Sequence, residues 1–160
     1  MNYFRARKIG DESERRFVEA CKEKGWECTK STDKVDMYDH IDWWIVKDGR
    51  TFGVDVKGGN HPGSIWVEFK NVRGNSGWMY GKADLIAFDM PELGGFCLVR
   101  REDLLEYSLN NVNMFYRPKA EATRYLYQRE GRNDVISRLE LSDLLKVKSY
   151  KVLKYAGSQS

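Results

Sequence analysis

Two aspartates and a lysine are the residues of this chain whose spacing could support chemistry. They lie in the stretch His40–Gly58, HIDWWIVKDGRTFGVDVKG, where an Asp-Gly pair at 48–49 separates two alternating apolar runs. That pattern is typical of a β-hairpin with a two-residue turn. The resulting register places Asp42 opposite Asp55, with Lys57 on the same face. Because like charges opposed at a Cβ distance of roughly 4.5–5.5 Å are destabilising, a divalent cation held by the carboxylate oxygens would explain the pair.

The other face of the predicted hairpin is apolar and is expected to face a core. Its members are Ile41, Trp43, Ile45, Phe52, Val54 and Val56. An alternative interpretation is a solvated polar face on which Asp42 pairs with Lys57 and no ion binds. A one-residue slip of the register would move one aspartate to the other face, and this possibility supports the alternative.

A glutamate upstream of the hairpin is the third acidic candidate. We predict a helix from Asp11 to Gly25, with Asp11 as N-cap, Glu14 closing a capping box and Gly25 ending the helix. The apolar positions that share the face of Glu14 are Phe17, Val18 and Cys21. A carboxylate on an inward face is costly unless it is paired or bound to a metal. Glu14 therefore either only caps the helix or joins the two aspartates.

The chain after Lys57 contains the residues that could contact nucleic acid. Ser64–Lys70 alternates as a strand, and Glu68 on its polar face is a second-rank candidate for the site. The glycine-rich stretch 71–82 carries basic and aromatic residues, which suit contact with phosphates and bases. The candidate contacts are Lys70, Arg73, Asn75 and Lys82. The alternative is a plain connection that Trp78 anchors to the core.

The remaining pattern indicates alternating helices and strands within one domain. We predict strands at 26–32, 83–89, 96–100, 123–129 and 134–141, an acidic loop at 33–39, and helices at 101–109 and 143–148, the last capped by Ser142. The domain would span 1–160, with a core at about 11–100 and an addition of strands and a helix at 115–150.

Composition limits the class of protein. The 160 residues suffice for one sizeable core, and 41% hydrophobic residues argue against disorder. No apolar run approaches the roughly 20 residues that span a bilayer, and the N-terminus lacks a signal-peptide core, so we expect a cytoplasmic protein without a membrane partner. The three cysteines form no CxxC pair and are expected as buried thiols. A net charge of +3 fits nucleic acid only if the basic residues gather on one face.

Together, these residues resemble the PD-(D/E)XK nuclease superfamily. The resemblance is carried by Glu14 on a helix, Asp42 at a strand start, and the tripeptide Asp55–Lys57 on the returning strand, followed by glycine. It extends more loosely, as strand order, to Arg100. Ile41 stands where the motif's proline would be, and the sequence does not indicate the usual helix between the third and fourth core strands.

The resemblance implies an α/β (α+β) fold of the restriction-endonuclease type, with a mixed central sheet, an N-terminal helix and further flanking helices. It also implies metal-dependent phosphodiester hydrolysis. Asp42 and Asp55 would hold one or two Mg²⁺ ions, for which Mn²⁺ can substitute. The Val56 carbonyl would be a further ligand and Glu14 would complete the shell. Lys57 would orient the attacking water or help to deprotonate it. No organic cofactor is expected.

Several functions remain open within this resemblance. The small size fits an endonuclease that dimerises to cut both strands of double-stranded DNA. One alternative is a structure-specific nuclease like a Holliday-junction resolvase. Another, from a different class, is a non-catalytic nucleic-acid-binding module whose polar cluster is structural. An RNA-directed nuclease ranks lower because the sequence shows no RNA-binding signature.

Overall fold

A mixed six-stranded β-sheet forms the centre of the protein, in a computed structural model that describes residues 3–158. In chain order, the strands are β1 (Glu27–Lys30), β2 (Trp43–Lys47), β3 (Arg50–Lys57), β4 (Ser64–Lys70), β5 (Leu85–Met90), β6 (Gly95–Arg100), β7 (Asn113–Tyr116), β8 (Tyr125–Leu126), β9 (Val135–Glu140) and β10 (Lys151–Lys154). The helices are α1 (Tyr3–Glu23), α2 (Asp33–Asp39), α3 (Arg101–Asn111) and α4 (Leu141–Leu144). Single 3₁₀ turns are Trp78–Tyr80, Pro91–Leu93 and Lys119–Glu121.

The strand order in the central sheet is β1-β2-β3-β5-β6-β10, and only the β3–β5 pair is parallel. The predicted mixed sheet with an N-terminal helix and further helices is confirmed. Between β3 and β5 the described chain forms β4 and a 3₁₀ turn rather than a helix. None of the helices in residues 3–158 is long and apolar enough to cross a membrane.

The hairpin forms in the predicted register. Trp43 lies opposite Val54, and the pairs continue to the turn. Asp48 and Gly49 adopt φ values of 51° and 73°, which are the left-handed values that a two-residue type I′ turn requires. Because β5 adds to the other edge of β3, the returning strand of the hairpin lies inside the sheet.

Helix α1 differs from its prediction at the N-terminal end. It begins at Tyr3, so Asp11 lies within the helix and is not its N-cap, and the predicted capping box with Glu14 does not form. Its buried positions are Ser13, Phe17, Ala20 and Cys21, which puts Glu14 at the edge of the inward face. A single internal glycine, Gly10, costs a helix only about 1 kcal/mol. The helix ends at Glu23, and Gly25 follows at φ 80° as predicted.

The two faces of the central sheet bury separate apolar clusters. Helix α1 covers one face, and the β4–β9 pair with α3, α4 and a 3₁₀ turn covers the other. Ile41 was predicted on the first of these faces but belongs to the second cluster. The reason is that β2 begins only at Trp43, so the alternation does not reach back to Ile41. The Ile41 side chain covers Gly53, where an added Cβ would lie 2.9 Å from Ile41 Cδ1.

The predicted acidic loop at 33–39 is wrong, because this segment forms α2. Thr32 is the N-cap, and its Oγ1 accepts a hydrogen bond from the Val35 amide at 3.2 Å. Asp33 and Asp36 lie in the first turn, where negative charge is favourable. His40 ends the helix at φ 57°.

The C-terminal part departs most from prediction. The predicted strand at 123–129 is reduced to β8, since Arg124 takes a left-handed φ of 60°. β8 pairs with β7, which was not predicted, and β10 at the edge of the central sheet was not predicted either. The last helix, α4, is capped by a reciprocal pair of Glu140 and Asp143 rather than by Ser142. β9 was predicted and pairs with β4.

The extent of α1 predicts that Gly10→Ala stabilises the protein by about 0.5–1 kcal/mol. An added Cβ at position 10 meets no described atom within 4 Å, and alanine favours the helix. Gly25→Ala is the matched control and should destabilise by about 1 kcal/mol, because its φ is 80°. Urea unfolding measures both. No gain from Gly10→Ala would place the start of the helix after position 10.

Candidate active site at the end of the hairpin

Three carboxyl groups lie close together at the open end of the hairpin, just before the first residue of β2 and beside the last residues of β3. Asp42 stands just before β2, and its amide donates to the Val54 carbonyl at 2.8 Å. Its Oδ2 accepts the Val56 amide at 2.7 Å. The carboxyl groups of Asp55 and Asp36 both lie within hydrogen-bonding reach of the Asp42 carboxyl group. The structure therefore brings Asp42 and Asp55 together as predicted, and adds Asp36.

Asp55 is the most buried member of this acidic cluster, which is defined as Asp36, Asp42 and Asp55. It is 4% exposed, and its Oδ2 receives no hydrogen bond from any described residue. Lys57 Nζ lies 3.2 Å from that oxygen. This is an ion-pair distance, so the ammonium group offsets part of the charge on the carboxylate. A buried carboxylate oxygen in this state is costly, and such an oxygen is suited to hold a cation.

The cluster binds protons more tightly than ordinary aspartates do. Burial raises the pKa of Asp55, and the charge of Lys57 opposes that rise. Burial and then the charge of Asp55 raise the pKa of Asp42 to about 6, against the hydrogen bonds from Asp36 and the Val56 amide. Partial burial and then the hydrogen bond to Asp42 raise the pKa of Asp36 to about 6.

Lys57 is held between the acidic cluster and an aromatic ring. Its Nζ lies 4.8 Å from the centre of the Trp78 ring, a cation–π distance. Trp78 is buried in the core, as the anchoring interpretation predicted. Among the described residues, Lys57 forms its ion pair with Asp55 and not with Asp42, so the pairing assumed for a purely solvated face is not observed.

Glu14 approaches the cluster from the other side of the sheet. Its Oε1 accepts from Lys30 Nζ at 2.7 Å and from Trp43 Nε1 at 2.9 Å. Its negative charge contributes to the raised pKa of Asp42. Lys30 Nζ is also 4.0 Å from Asp36 Oδ2, so Lys30 connects Glu14 to the acidic cluster.

A second buried carboxylate, Asp89, fixes α1 against the sheet. Ser13 Oγ and Arg16 Nη2 each donate to Asp89 Oδ2 at 2.7 Å, and the Tyr155 hydroxyl donates to Oδ1. Gly58 passes so close to α1 that an added Cβ would lie 2.2 Å from Ser13 Oγ. These contacts set the height of α1, and hence of Glu14, relative to the end of β3.

Three residues near the site were not selected from the sequence. Asp36 was included only in the predicted acidic loop because α2 was not predicted, and Lys30 depends on the pairing of β1 with β2. His40 lies near Lys57, and burial first and then the Lys57 charge lower its pKa. Glu68, the second-rank candidate, has a supporting contact, since its Oε1 accepts the Trp78 amide at 3.4 Å.

The predicted nucleic-acid contacts are all exposed. Lys70, Arg73, Asn75 and Lys82 lie on the surface of β4 and of the loop after it. The loop is ordered by Asn71 Oδ1, which accepts the amides of residues 73 and 75 at 3.0 Å. Lys82 Nζ lies 3.7 Å from Asp39 Oδ1, at the end of α2.

The residues present fit a hydrated divalent cation better than a closed metal cage. In the described part of the chain, no group of three or more His, Cys, Asp or Glu side chains is arranged to hold a metal ion. Mg²⁺ keeps several waters and is usually bound through one or two carboxylates. Asp42 and Asp55 supply two carboxylates, and the buried Oδ2 of Asp55 is an available ligand atom.

Comparison with known proteins shows a likeness to a solved structure. No protein-family model matches the chain, and no curated protein is significantly similar to it. The solved structure of a bacterial homing endonuclease, I-Ssp6803I, is similar with 20% sequence identity and a TM-score of 0.44, over 62% of this chain and 67% of that one. A likeness at this TM-score supports no conclusion about activity. The fold and site by themselves define a mixed α/β protein with a buried acidic centre at one end of its sheet.

The raised pKa values predict that the protein, kept free of metal by EDTA, loses stability as the pH rises. Between about pH 4, where an unfolded aspartate titrates, and pH 6, the folded state holds protons that the unfolded state has released. The free energy of unfolding should therefore fall by roughly 1–3 kcal/mol across this window. Urea unfolding in EDTA at pH 4.5 and 7.5 measures the effect.

Asp42→Asn should flatten this dependence, and Asp11→Asn on the exposed face of α1 should leave it unchanged. Equal pH dependence in wild type and Asp42→Asn would contradict the assignment.

Proposed function

We propose that the chain is a divalent-metal-dependent DNA endonuclease of the PD-(D/E)XK type. The observation that carries the proposal is the buried Asp55 Oδ2, which no described residue hydrogen-bonds, set beside Asp42 and 3.2 Å from Lys57 Nζ. Two opposed carboxylates, one of them buried, are costly as a purely structural arrangement even with an adjacent lysine. They are useful where a cation and a phosphate must be held together.

Asp42 and Asp55 would hold Mg²⁺ or Mn²⁺, with the Val56 carbonyl as a further ligand. When bound, the cation lowers the pKa of its water and stabilises charge on the phosphate oxygens. Glu14 would be a further ligand of the cation. To reach it, the Glu14 carboxylate must give up its hydrogen bonds from Lys30 and Trp43. The chain itself keeps both aspartates in place through the β3 backbone, because the Val56 amide binds Asp42 Oδ2.

Lys57 and Asp36 would handle the charge and the protons of the reaction. Lys57 Nζ, between Asp55 and the Trp78 ring, would orient the attacking water or a phosphate oxygen. Asp36 is partly exposed and its pKa is raised to about 6, so it can accept a proton near neutral pH and release it to solvent. The fold holds both groups in place, Lys57 on β3 and Asp36 on α2.

The substrate is proposed to be double-stranded DNA, cut on both strands by a homodimer. Lys70, Arg73, Asn75 and Lys82 would contact its backbone. A structure-specific nuclease acting on branched DNA uses the same site chemistry, and choice of substrate separates the two. A non-catalytic binding module would bind DNA without cutting it.

The proposal predicts metal-dependent cleavage that Lys57→Ala or Asp55→Asn lowers by at least about 100-fold, since Asp55 would hold the metal and Lys57 would orient the water or a phosphate oxygen. The assay uses plasmid, linear, nicked and four-way-junction DNA with Mg²⁺ or with EDTA. Lys24 is an exposed lysine directly after α1, and Lys24→Ala is the charge-matched control that should cut like wild type.

Cleavage that continues in EDTA, or in Asp55→Asn at the wild-type rate, would contradict the metal site. Binding of the whole panel without any cutting would instead favour the non-catalytic module.

Arg73→Ala and Lys82→Ala are predicted to weaken DNA binding uniformly across sequences. Each should reduce the slope of log K against log salt by about 1, because each removes one phosphate contact. Fluorescence anisotropy at several salt concentrations measures the slope. An unchanged slope would remove that residue from the DNA contacts.

A further inference from the structure

Three large apolar side chains beside the acidic cluster are exposed to solvent. Met37 and Tyr38 on α2 are 69% and 70% exposed, and Tyr80 in the 3₁₀ turn is 47% exposed. Exposed apolar groups gathered at a polar site mark an interaction surface more often than scattered ones do.

The two elements that carry these side chains also build the site. From α2, Asp36 faces Asp42, and from the 3₁₀ turn, Trp78 lies beneath the Lys57 ammonium. Each element thus turns one side chain inward, Asp36 to the acidic cluster and Trp78 to Lys57, and presents neighbouring apolar side chains to solvent.

The same two elements are in direct contact. The Lys82 amide donates to the Asp39 carbonyl at 3.0 Å. Gly81 allows this approach, because a Cβ there would lie 3.0 Å from that carbonyl. The end of α2 and the end of the 3₁₀ turn therefore form one continuous surface next to the site.

Charge on this surface is nearly balanced. Of the three aspartates on α2, Asp36 faces the acidic cluster, Asp39 lies 3.7 Å from Lys82 Nζ, and Asp33 is exposed and followed in the chain by Lys34. Lys34 and Lys82 are exposed at either end of the surface. A strand whose phosphate is bound at Lys57 must pass over one of the elements that line the site.

We propose that Met37, Tyr38 and Tyr80 form a base-stacking surface for the nucleotides next to the cleaved bond. This inference rests on the proposed nuclease function and names its substrate class. Aromatic rings stack on any base whose face is accessible, and apolar side chains that wedge between base pairs must first unstack them. The base-stacking surface therefore favours DNA with accessible bases near the cut, as in nicked, gapped or branched DNA, over continuous duplex.

The test separates binding from cleavage. The full chain carrying Asp55→Asn is used in EDTA, so that DNA is bound and not cut. Fluorescence anisotropy gives the affinity for a continuous duplex, a gapped duplex and a four-way junction of matched sequence, each at several salt concentrations. Tyr38→Ala, Tyr80→Ala and Met37→Ala are compared with Tyr38→Phe and Tyr80→Phe. Phe115→Ala, another exposed aromatic at 71%, is the control.

Each Tyr→Ala change should weaken binding to gapped and branched DNA by roughly 5- to 100-fold. Met37→Ala should weaken it in the same direction. The salt slope should not change, because no charge is lost. The phenylalanine variants keep the ring and should bind like the parent, as should Phe115→Ala. The loss for continuous duplex should be smaller.

Three results would overturn the inference. If the Tyr→Ala variants bind every DNA like the parent while wild type still cuts with Mg²⁺, the inference fails and the nuclease stands. If these substitutions change the oligomeric state by light scattering and not the affinity for DNA, the surface is an interface between copies. If the parent binds no DNA and wild type cuts none, the proposed function fails together with the inference.

Discussion

The opposition of the Asp42 and Asp55 carboxyl groups is the constraint on which the rest of this structure depends. The hairpin register fixes it, because a turn at 48–49 leaves the two residues facing each other just beyond the paired part of β2. The surrounding elements place further charged groups next to this pair. α2 places a third carboxyl group there, and Lys57 is drawn to within 3.2 Å of Asp55. The result is a site that already favours positive charge.

Local signals explain which parts of the fold could be predicted. The Asp-Gly turn, the alternation of Ser64–Lys70 and the glycine after α1 each depend on a few neighbouring residues, and each was found. α2 was missed although Thr32 is a good N-cap, because three aspartates in seven residues suggested a solvated loop. β10 is short and pairs with β6, which is distant in sequence, and β7 is short and pairs with a β8 of only two residues.

The same distinction holds within the candidate site. Asp42, Asp55 and Lys57 could be placed together because one hairpin carries all three. Glu14 was placed with them only through the family resemblance, since its surroundings are set by Lys30 on β1 and by the Asp89 contacts that position α1. The position of Asp36 could be predicted only if both α2 and its packing beside the hairpin were known. Sequence reasoning thus identified the acidic pair and its lysine, and tertiary packing supplied their neighbours.

The account's central claim is that Asp42 and Asp55 together bind a divalent cation. Calorimetric titration of Mn²⁺ into wild type at pH 6, in two buffers of different ionisation enthalpy, tests it most directly. The pKa of Asp42 is about 6, so we expect binding accompanied by proton release, and we expect both to be lost in Asp55→Asn. No binding by wild type, or equal binding by Asp55→Asn, would contradict the claim.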